Sequence, residues 1–178
     1  MRLEDELARW EATLRKSPSD AWIEAGLRAL EQLARTMPGD RICAVTHGDF
    51  QPSNLLFEAG HLRGIIDWDL AHLGSAGQDL GWLMMFADPD SWAGPLRPWS
   101  PLTPEALAHS YQSRVALDDL TVKWFHAFAG YRFGAIACLN VKLHRSGRRV
   151  DDIWEAFAPS VLRLFEQSRE LASRLPVT

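Results

Sequence analysis

Residues 47–54 read HGDFQPSN, and this stretch decides the fold of the chain. It separates Asp49 from Asn54 by four residues and follows a short β-prone run at residues 42–45. A second carboxylate, Asp67, comes 13 positions after Asn54, at the end of a predicted hairpin. Two carboxylates and an amide oxygen on adjacent loops suit phosphoryl transfer from a nucleotide. One carboxylate can accept the proton of the attacking hydroxyl while the other two groups hold Mg²⁺.

The order H-x-D-x-x-x-x-N followed by D is that of the catalytic and metal loops of kinases. Residues 47–57, 64–69 and 78–81 resemble the aminoglycoside phosphotransferase and choline kinase family, whose members are kinase-like and phosphorylate small molecules. The family has HGD where protein kinases have HRD, and IDWD or IDWE where they have DFG. The similarity covers residues 40–85, and the helices predicted on either side are compatible with the C-terminal lobe of the family.

The resemblance implies roles for the polar residues of the motif. Asp49 would be the catalytic base, with His47 supporting its loop. Asn54 and Asp67 would be the Mg²⁺ ligands. The reaction would transfer the γ-phosphate of ATP or GTP to a hydroxyl of a small molecule, so Mg²⁺, a nucleotide and that acceptor are the expected cofactor and partners.

Two further acids lie near the motif. Asp79 matches the aspartate of the family's D-L-A, which resembles a brace bonded to backbone amides of the catalytic loop, although this chain has Gly81 in place of the alanine. Asp69 falls where the family often has an acid; it is either a support or outer contact of the metal or a solvated acid. Trp68 is either a wall of the site or a core residue, and core is favoured.

The acceptor side is less informative. Residues 88–102 hold four prolines and are predicted to form a loop. Its Trp92 and Trp99 could bind the acceptor by stacking on a sugar or an apolar group, or could cap the helices. Several aspartates between residues 88 and 152 could form a cation-attracting rim, but the pairs at 118–119 and 151–152 lie where helix N-termini favour negative charge.

The predicted fold class is α+β, mainly α with a small β insertion, as in a kinase-like C-terminal lobe. Residues 1–178 form a single lobe: helices over 1–40, the loops, hairpin and following helix over 41–87, and a helical subdomain over 88–178. The apolar spacing predicts the buried face of the first helix to be Leu3, Leu7, Trp10 and Leu14, and that of the second to be Ile23, Leu27, Leu30 and Ala34. The second helix is predicted to be capped by Ser17.

Helices are also predicted over about 103–116, 118–145 and 151–173, each opening on cap or acidic residues. The run at 80–87 is predicted to be a buried helix that ends at Asp88 and Pro89. Cys43 and Cys138 have no partner at metal or redox spacing, so both are predicted to be small core residues.

Composition excludes several classes of function. The chain carries 19 basic and 23 acidic residues, a formal net charge of −4, and no basic run beyond Arg148 and Arg149, so nucleic acid is not an expected partner. The longest uncharged stretches have nine residues, against roughly 18 needed to cross a bilayer, so no membrane segment is expected. The N-terminus is charged where a secretory signal needs an apolar core, which favours a cytoplasmic location.

A complete kinase also needs a β-rich N-lobe with a loop over the phosphates and a strand lysine. Only 46 residues precede His47; they contain no glycine-rich stretch, and Lys16 is their only lysine. The sequence therefore predicts a C-lobe without the nucleotide-binding N-lobe, with exposed apolar surface near residues 42–45 and the hairpin, and with possible self-association or a partner lobe. The chain is either the catalytic half of a small-molecule kinase or a catalytically inert binding module. A phosphatase built on Asp67 and Asp69 is a weaker alternative.

Overall fold

The structure is a computed structural model, and it describes residues 2–39 and 43–178. The chain begins with helices α1 (Leu3–Leu14) and α2 (Asp20–Arg35). The predicted face of α1 is confirmed, since its four predicted core residues are all buried: Leu3, Leu7, Trp10 and Leu14.

The start of α2 was predicted two residues too early. Ser19, not Ser17, is the N-cap, and its side chain accepts the backbone N–H of Trp22. Ser17 instead uses its hydroxyl within a local turn, where it accepts the N–H of Ser19. A serine two residues before the true cap can bond to the backbone in the same way, so the sequence did not separate the two positions.

Only part of the predicted core face of α2 is confirmed: Leu27 and Leu30 are partly buried and pack against the core, but they are not the most deeply buried residues of this helix. Its buried residues are small, Ala25, Gly26 and Ala29, together with Leu33. Ala34 is exposed. Gly26 lies against the side chain of Leu14 on α1, and α2 also packs on α7 (Val161–Ser173).

The β insertion consists of two antiparallel ribbons within the described residues. Strands β2 (Leu55–Glu58) and β3 (His61–Ile65) form the predicted hairpin. Strand β1 (Cys43–Thr46) was predicted, apart from Ile42, which lies outside the described residues. Its partner β4 (His72–Ser75) was missed, because it is short and is specified by pairing with β1 rather than by its own pattern.

The remaining helices form the bundle. Helix α3 (Gly77–Ala87) ends at Asp88 as predicted. The predicted loop follows it, and within the described residues this loop contains one short 3₁₀ turn, Pro89–Ser91. Helix α4 (Pro104–Gln112) starts at its predicted cap, Thr103, but ends about four residues early, and α5 (Asp119–Arg145) matches its prediction. The predicted last helix is instead α6 (Ile153–Phe157) and α7, separated by a 3₁₀ turn that contains Pro159.

The long helix α5 is the centre of the core, buried on almost every side and packed against α1, α2, α3 and α7. Cys138 on α5 is fully buried, as predicted. Cys43 is exposed, so its prediction as a core residue was wrong; alternate residues of β1 face outward. No helix among the described residues is both long and apolar enough to span a membrane.

Candidate active site

The polar residues of the sequence motif meet where β1 ends and the HGDFQPSN loop begins. His47 is 2% exposed. Its ring nitrogen Nε2 lies 2.8 Å from the carbonyl oxygen of Ile66, and its Nδ1 accepts the backbone N–H of Asp49 at 3.3 Å. These two contacts assign the ring proton to Nε2. The imidazole therefore ties the loop that carries Asp49 to the segment that precedes Asp67.

Asp79 holds the same loop from the N-terminal turn of α3. One carboxylate oxygen accepts the N–H of His47 at 2.7 Å, and the other accepts the N–H of Gly48 at 3.0 Å. The helix that carries Asp79 packs closely on α5, because a side chain at Gly81 would collide with the carbonyl of Phe125. The glycine in D-L-G is thus required by helix packing.

Gly48 has a backbone conformation that only glycine adopts easily. Its φ is +84°, and a Cβ there would collide with the carbonyl oxygen of Leu70. Its own carbonyl accepts a hydrogen bond of 2.6 Å from Nη2 of Arg132, a buried residue of α5. Both backbone polar groups of Gly48 are therefore fixed, which sets the direction in which the next residue, Asp49, leaves the loop.

The Asp49 carboxylate is half-buried and bonded on both oxygens. Oδ1 accepts the indole N–H of Trp82 at 3.0 Å, and Oδ2 accepts the side-chain amide of Gln51 at 2.8 Å. Hydrogen bonds to a carboxylate stabilise its charged form. The side chain is thus held as an acceptor in one orientation.

Asn54 ends a 3₁₀ turn, Pro52–Asn54, and is 6% exposed. Its amide nitrogen donates to the backbone oxygen of Asp49 at 3.0 Å and lies 3.4 Å from Oδ2 of the same residue. Because the nitrogen is directed at Asp49, the amide oxygen points the other way. The backbone carbonyl of Asn54 accepts the N–H of Ile66 at 3.0 Å, so the next residue, Asp67, lies beside this turn.

Asp67 is exposed and has a φ of +64°, an uncommon conformation for a residue other than glycine. Its carboxylate makes no hydrogen bond or ion pair within the described residues. Asp69 is likewise exposed and without such a partner in that part of the chain. No group of three or more His, Cys, Asp or Glu residues suited to a metal occurs in the described ranges. A Mg²⁺ site needs only one or two carboxylates, with water and phosphate completing the shell.

The three tryptophans singled out in the sequence lie in different surroundings. Trp68 is 48% exposed, so the core assignment was wrong; its ring lies 4.7 Å from that of His47 and its N–H donates to Ile65 at 2.8 Å. Trp92 packs with Phe86, Phe133 and Phe157 in an aromatic cluster.

Trp99 is 40% exposed, and its backbone N–H donates to the carbonyl of Phe86.

A cavity of about 730 Å³ lies between the C-terminal end of α3, α4, α5 and α7, with His126 and Asp88 in its lining. Neither Asp49 nor any other motif residue lines it.

Sequence reasoning missed Trp82 and Arg132 as residues of this site. The guanidinium of Arg132 lies 4.6 Å from the ring centre of Trp82 and 5.1 Å from that of Trp10. Burial lowers the pKa of Arg132, while the charges of Glu6 and Asp49 oppose that shift. A lone arginine inside an apolar helix was the one available signal, because such a charge is rarely buried without a function or partner.

Comparisons with known proteins identify the family and the fold of the chain. A family model described as "Phosphotransferase enzyme family" (APH) matches residues 1–109. The crystal structure of a "putative aminoglycoside phosphotransferase" from Ralstonia eutropha JMP134 is similar with a TM-score of 0.77 and 20% identity.

That alignment covers 97% of this chain and 56% of the other, so the chain spans little more than half the length of its structural relative. It confirms the mainly α, kinase-like α+β fold. No curated protein matches the sequence. Because the family model covers more than half of the 178 residues, the chain belongs to the phosphotransferase enzyme family.

Proposed function

We propose that this chain is the catalytic lobe of a small-molecule kinase, which transfers the γ-phosphate of ATP or GTP to a hydroxyl group. Asp49 is the catalytic base in this proposal, and Asn54 and Asp67 are the metal ligands. His47 and Asp79 support the loop. Asp69 is a support or outer contact of the metal and not one of its direct ligands. The need for a nucleotide favours a cytoplasmic site of action.

The observation that carries the proposal is the hydrogen bonding between Asn54 and Asp49. The amide nitrogen of Asn54 is occupied by Asp49, so its oxygen is left for a cation on the side of Asp67. A base and a metal ligand are thereby fixed next to each other but with opposite orientations. Phosphoryl transfer needs this division, because the attacking hydroxyl and the phosphate oxygens approach from different sides.

The residues present fit Mg²⁺. The Asn54 oxygen and the exposed Asp67 carboxylate are hard oxygen ligands, and Asp67 has no competing partner in the described residues. When bound, the ion would neutralise charge on the phosphates. Asp49 would orient the acceptor hydroxyl and take its proton, and Gln51 and Trp82 would keep the carboxylate in place while it does so.

A β-rich lobe outside these residues would supply the phosphate loop and the lysine. Apolar side chains exposed on the two ribbons support this: Val45, Leu56, Phe57, Leu62 and Ile66 are each at least 46% exposed. Exposed apolar side chains in this number are typical of a site of interaction. The same observation favours the second candidate function, an inert lobe that binds a partner through the ribbons and performs no chemistry.

A phosphoryl-transfer screen tests the two candidates. The chain, alone and mixed with N-lobe segments from longer family members, is assayed with Mg²⁺ and ATP or GTP against aminoglycosides, macrolides, choline, homoserine and hydroxyacyl compounds. We expect phosphoryl transfer to at least one acceptor, and we expect that transfer to require Asp49. Transfer that persists in the Asp49→Asn variant would contradict the assigned base. Partner binding with no transfer in any mixture would favour the inert module.

A further inference from the structure

The side chain of Trp82 is locked in place next to Asp49. It is 3% exposed and its ring packs edge-on against Phe86 and Phe133, with ring centres 5.8 Å apart in both contacts. Its indole N–H donates to Oδ1 of Asp49 at 3.0 Å. The tryptophan is 33 positions from the aspartate in the chain, so the contact exists only in the folded lobe. A rigid donor of this kind restricts rotation of the carboxylate.

Arg132 acts on the same aspartate from two directions. Its guanidinium lies between the rings of Trp82 and Trp10, at 4.6 and 5.1 Å from their centres. Its Nη2 donates to the carbonyl of Gly48 at 2.6 Å. One side chain therefore contacts both the indole that holds the Asp49 carboxylate and the backbone that directs Asp49 out of the loop.

The electrostatics of this arrangement strengthen the bond to Asp49. A cation over an indole ring draws electron density from it, which makes the N–H a stronger donor, and the acceptor is a carboxylate. Water screens the contact between Arg132 and Trp82 little, because Arg132 is only 5% exposed and Trp82 even less. Residue Trp10 extends the stack to α1, where its N–H donates to Glu6 at 3.1 Å.

Burial of the Arg132 charge costs free energy of folding. A role in holding Asp49 would explain why the residue is kept there. Its Nε has no hydrogen-bond partner among the described residues, although the atom is buried. Apolar side chains of similar volume commonly replace buried charges with no loss of stability. The hydrogen bond that Arg132 makes within the described residues, to the Gly48 carbonyl, is directed at the candidate site.

We propose that Trp82 and Arg132 are positioning residues for Asp49, with Trp82 fixing Oδ1 and Arg132 fixing both the Trp82 ring and the Gly48 carbonyl. The kinetic part of this inference rests on the proposed phosphotransferase function. Its structural part does not, since the contacts can be measured on the chain without any substrate. The structural part and the kinetic part of the inference can therefore be tested separately.

The first test uses the indole N–H signals of the eight tryptophans in ¹H–¹⁵N spectra of the full chain. Trp82→Phe identifies the Trp82 signal. We expect that signal to move more than the other indole signals in Asp49→Asn, which keeps the shape but removes the charge, and to move again in Arg132→Met. Trp124 is the matched internal control, because its buried N–H donates at 3.0 Å to a backbone carbonyl, that of Leu33. An unmoved Trp82 signal in a folded Asp49→Asn variant overturns the proposal, whatever the activity.

The second test is kinetic and uses whichever acceptor and lobe mixture shows transfer. Trp82→Phe keeps the ring but removes the donor, so we expect kcat to fall roughly ten- to hundred-fold, the value of a hydrogen bond to a charged group, with little change in the KM for ATP. Trp124→Phe, which also loses a buried N–H bond, should leave kcat unchanged. Arg132→Lys should recover part of the kcat lost in Arg132→Met. Equal effects of Trp82→Phe and Trp124→Phe would show a purely structural role and overturn the proposal.

Discussion

The carboxylate of Asp79 accepts the backbone N–H of His47 at 2.7 Å, across 32 positions of sequence. A second bond from the same carboxylate, to the N–H of Gly48 at 3.0 Å, makes the contact two-pronged. Helix α3 is itself fixed against α5 by close packing at Gly81. The backbone of the loop that carries Asp49 is therefore anchored to the helical core.

Removal of the Asp79 carboxylate should destabilise the lobe. Two hydrogen bonds to a charged acceptor contribute about 3 to 6 kcal/mol before relaxation, so we expect Asp79→Ala to lower the free energy of unfolding by about 2 to 4 kcal/mol. Urea denaturation measures the change. The matched control is Asp69→Ala, an exposed acid whose loss should change stability by less than about 0.5 kcal/mol. Equal stability of the two variants would mean that the Asp79 bonds are not formed in solution.

Asp49→Asn should abolish turnover without unfolding the lobe. A positioned base contributes about 10² to 10⁴ in rate, and the amide cannot accept the hydroxyl proton. Transfer is measured with the acceptor and lobe mixture identified by the screen, and stability by thermal unfolding. Glu58→Gln removes another acid from the β insertion, one that pairs with Arg63 on the surface, and should retain activity.

The isolated chain should bind Mg²⁺ and ATP poorly. The phosphate loop and the strand lysine of a kinase N-lobe each make charge-assisted contacts with the phosphates, worth about 1.5 to 3 kcal/mol. Neither feature occurs among the residues that the structure describes. Titration calorimetry of the chain with ATP and Mg²⁺ measures the affinity. Micromolar binding without any partner would contradict the need for a second lobe.

The apolar ribbons should drive association at high concentration. Phe57 and Leu62 are cross-strand neighbours on β2 and β3 and are 59% and 49% exposed. Replacing both by lysine should lower the mean mass in light scattering if the ribbons are the contact surface. Val150→Lys, at an isolated residue that is 71% exposed, is the control. A wild-type chain that stays monomeric at high concentration would refute this prediction.

Cys138 should make the lobe less stable in alkali. Burial raises the pKa of its thiol to about 11, whereas the unfolded thiol ionises about two units lower. Below the unfolded pKa the thiol is protonated in both states, and its effect on stability is constant. As the pH rises from about 9 towards 11, only the unfolded state loses the proton, so stability falls by up to about 3 kcal/mol.

Urea denaturation at a series of pH values, compared between the wild type and Cys138→Ala, isolates this effect. The variant should lose less stability over the same pH range. A thiol reagent at neutral pH should modify the exposed Cys43 and spare Cys138. Equal reaction of both thiols in the folded chain would contradict the burial of Cys138.

The candidate motif and most of the helices could be predicted from the amino-acid pattern alone. The spacing of Asp49, Asn54 and Asp67 is local information, because each follows a strand or turn whose residues specify it. The same is true of α1 and α5, which have strong caps or a clear apolar pattern. Local rules failed at the cap of α2, where Ser17 and Ser19 were equally good candidates. The single helix predicted over 151–173 overlooked a local signal, since Pro159 separates α6 from α7.

The surroundings of the motif depend on contacts between distant parts of the chain. Strand β4 exists because it pairs with β1, and the burial of Arg132 beside Trp82 depends on three helices packing together. These contacts join residues up to 122 positions apart, the separation of Trp10 and Arg132. No periodicity or short motif encodes such a distance, since the energy comes from packing and burial that arise when the chain folds. The order of the chemical groups along the chain could therefore be predicted from the sequence, while their orientation in space is set by the fold.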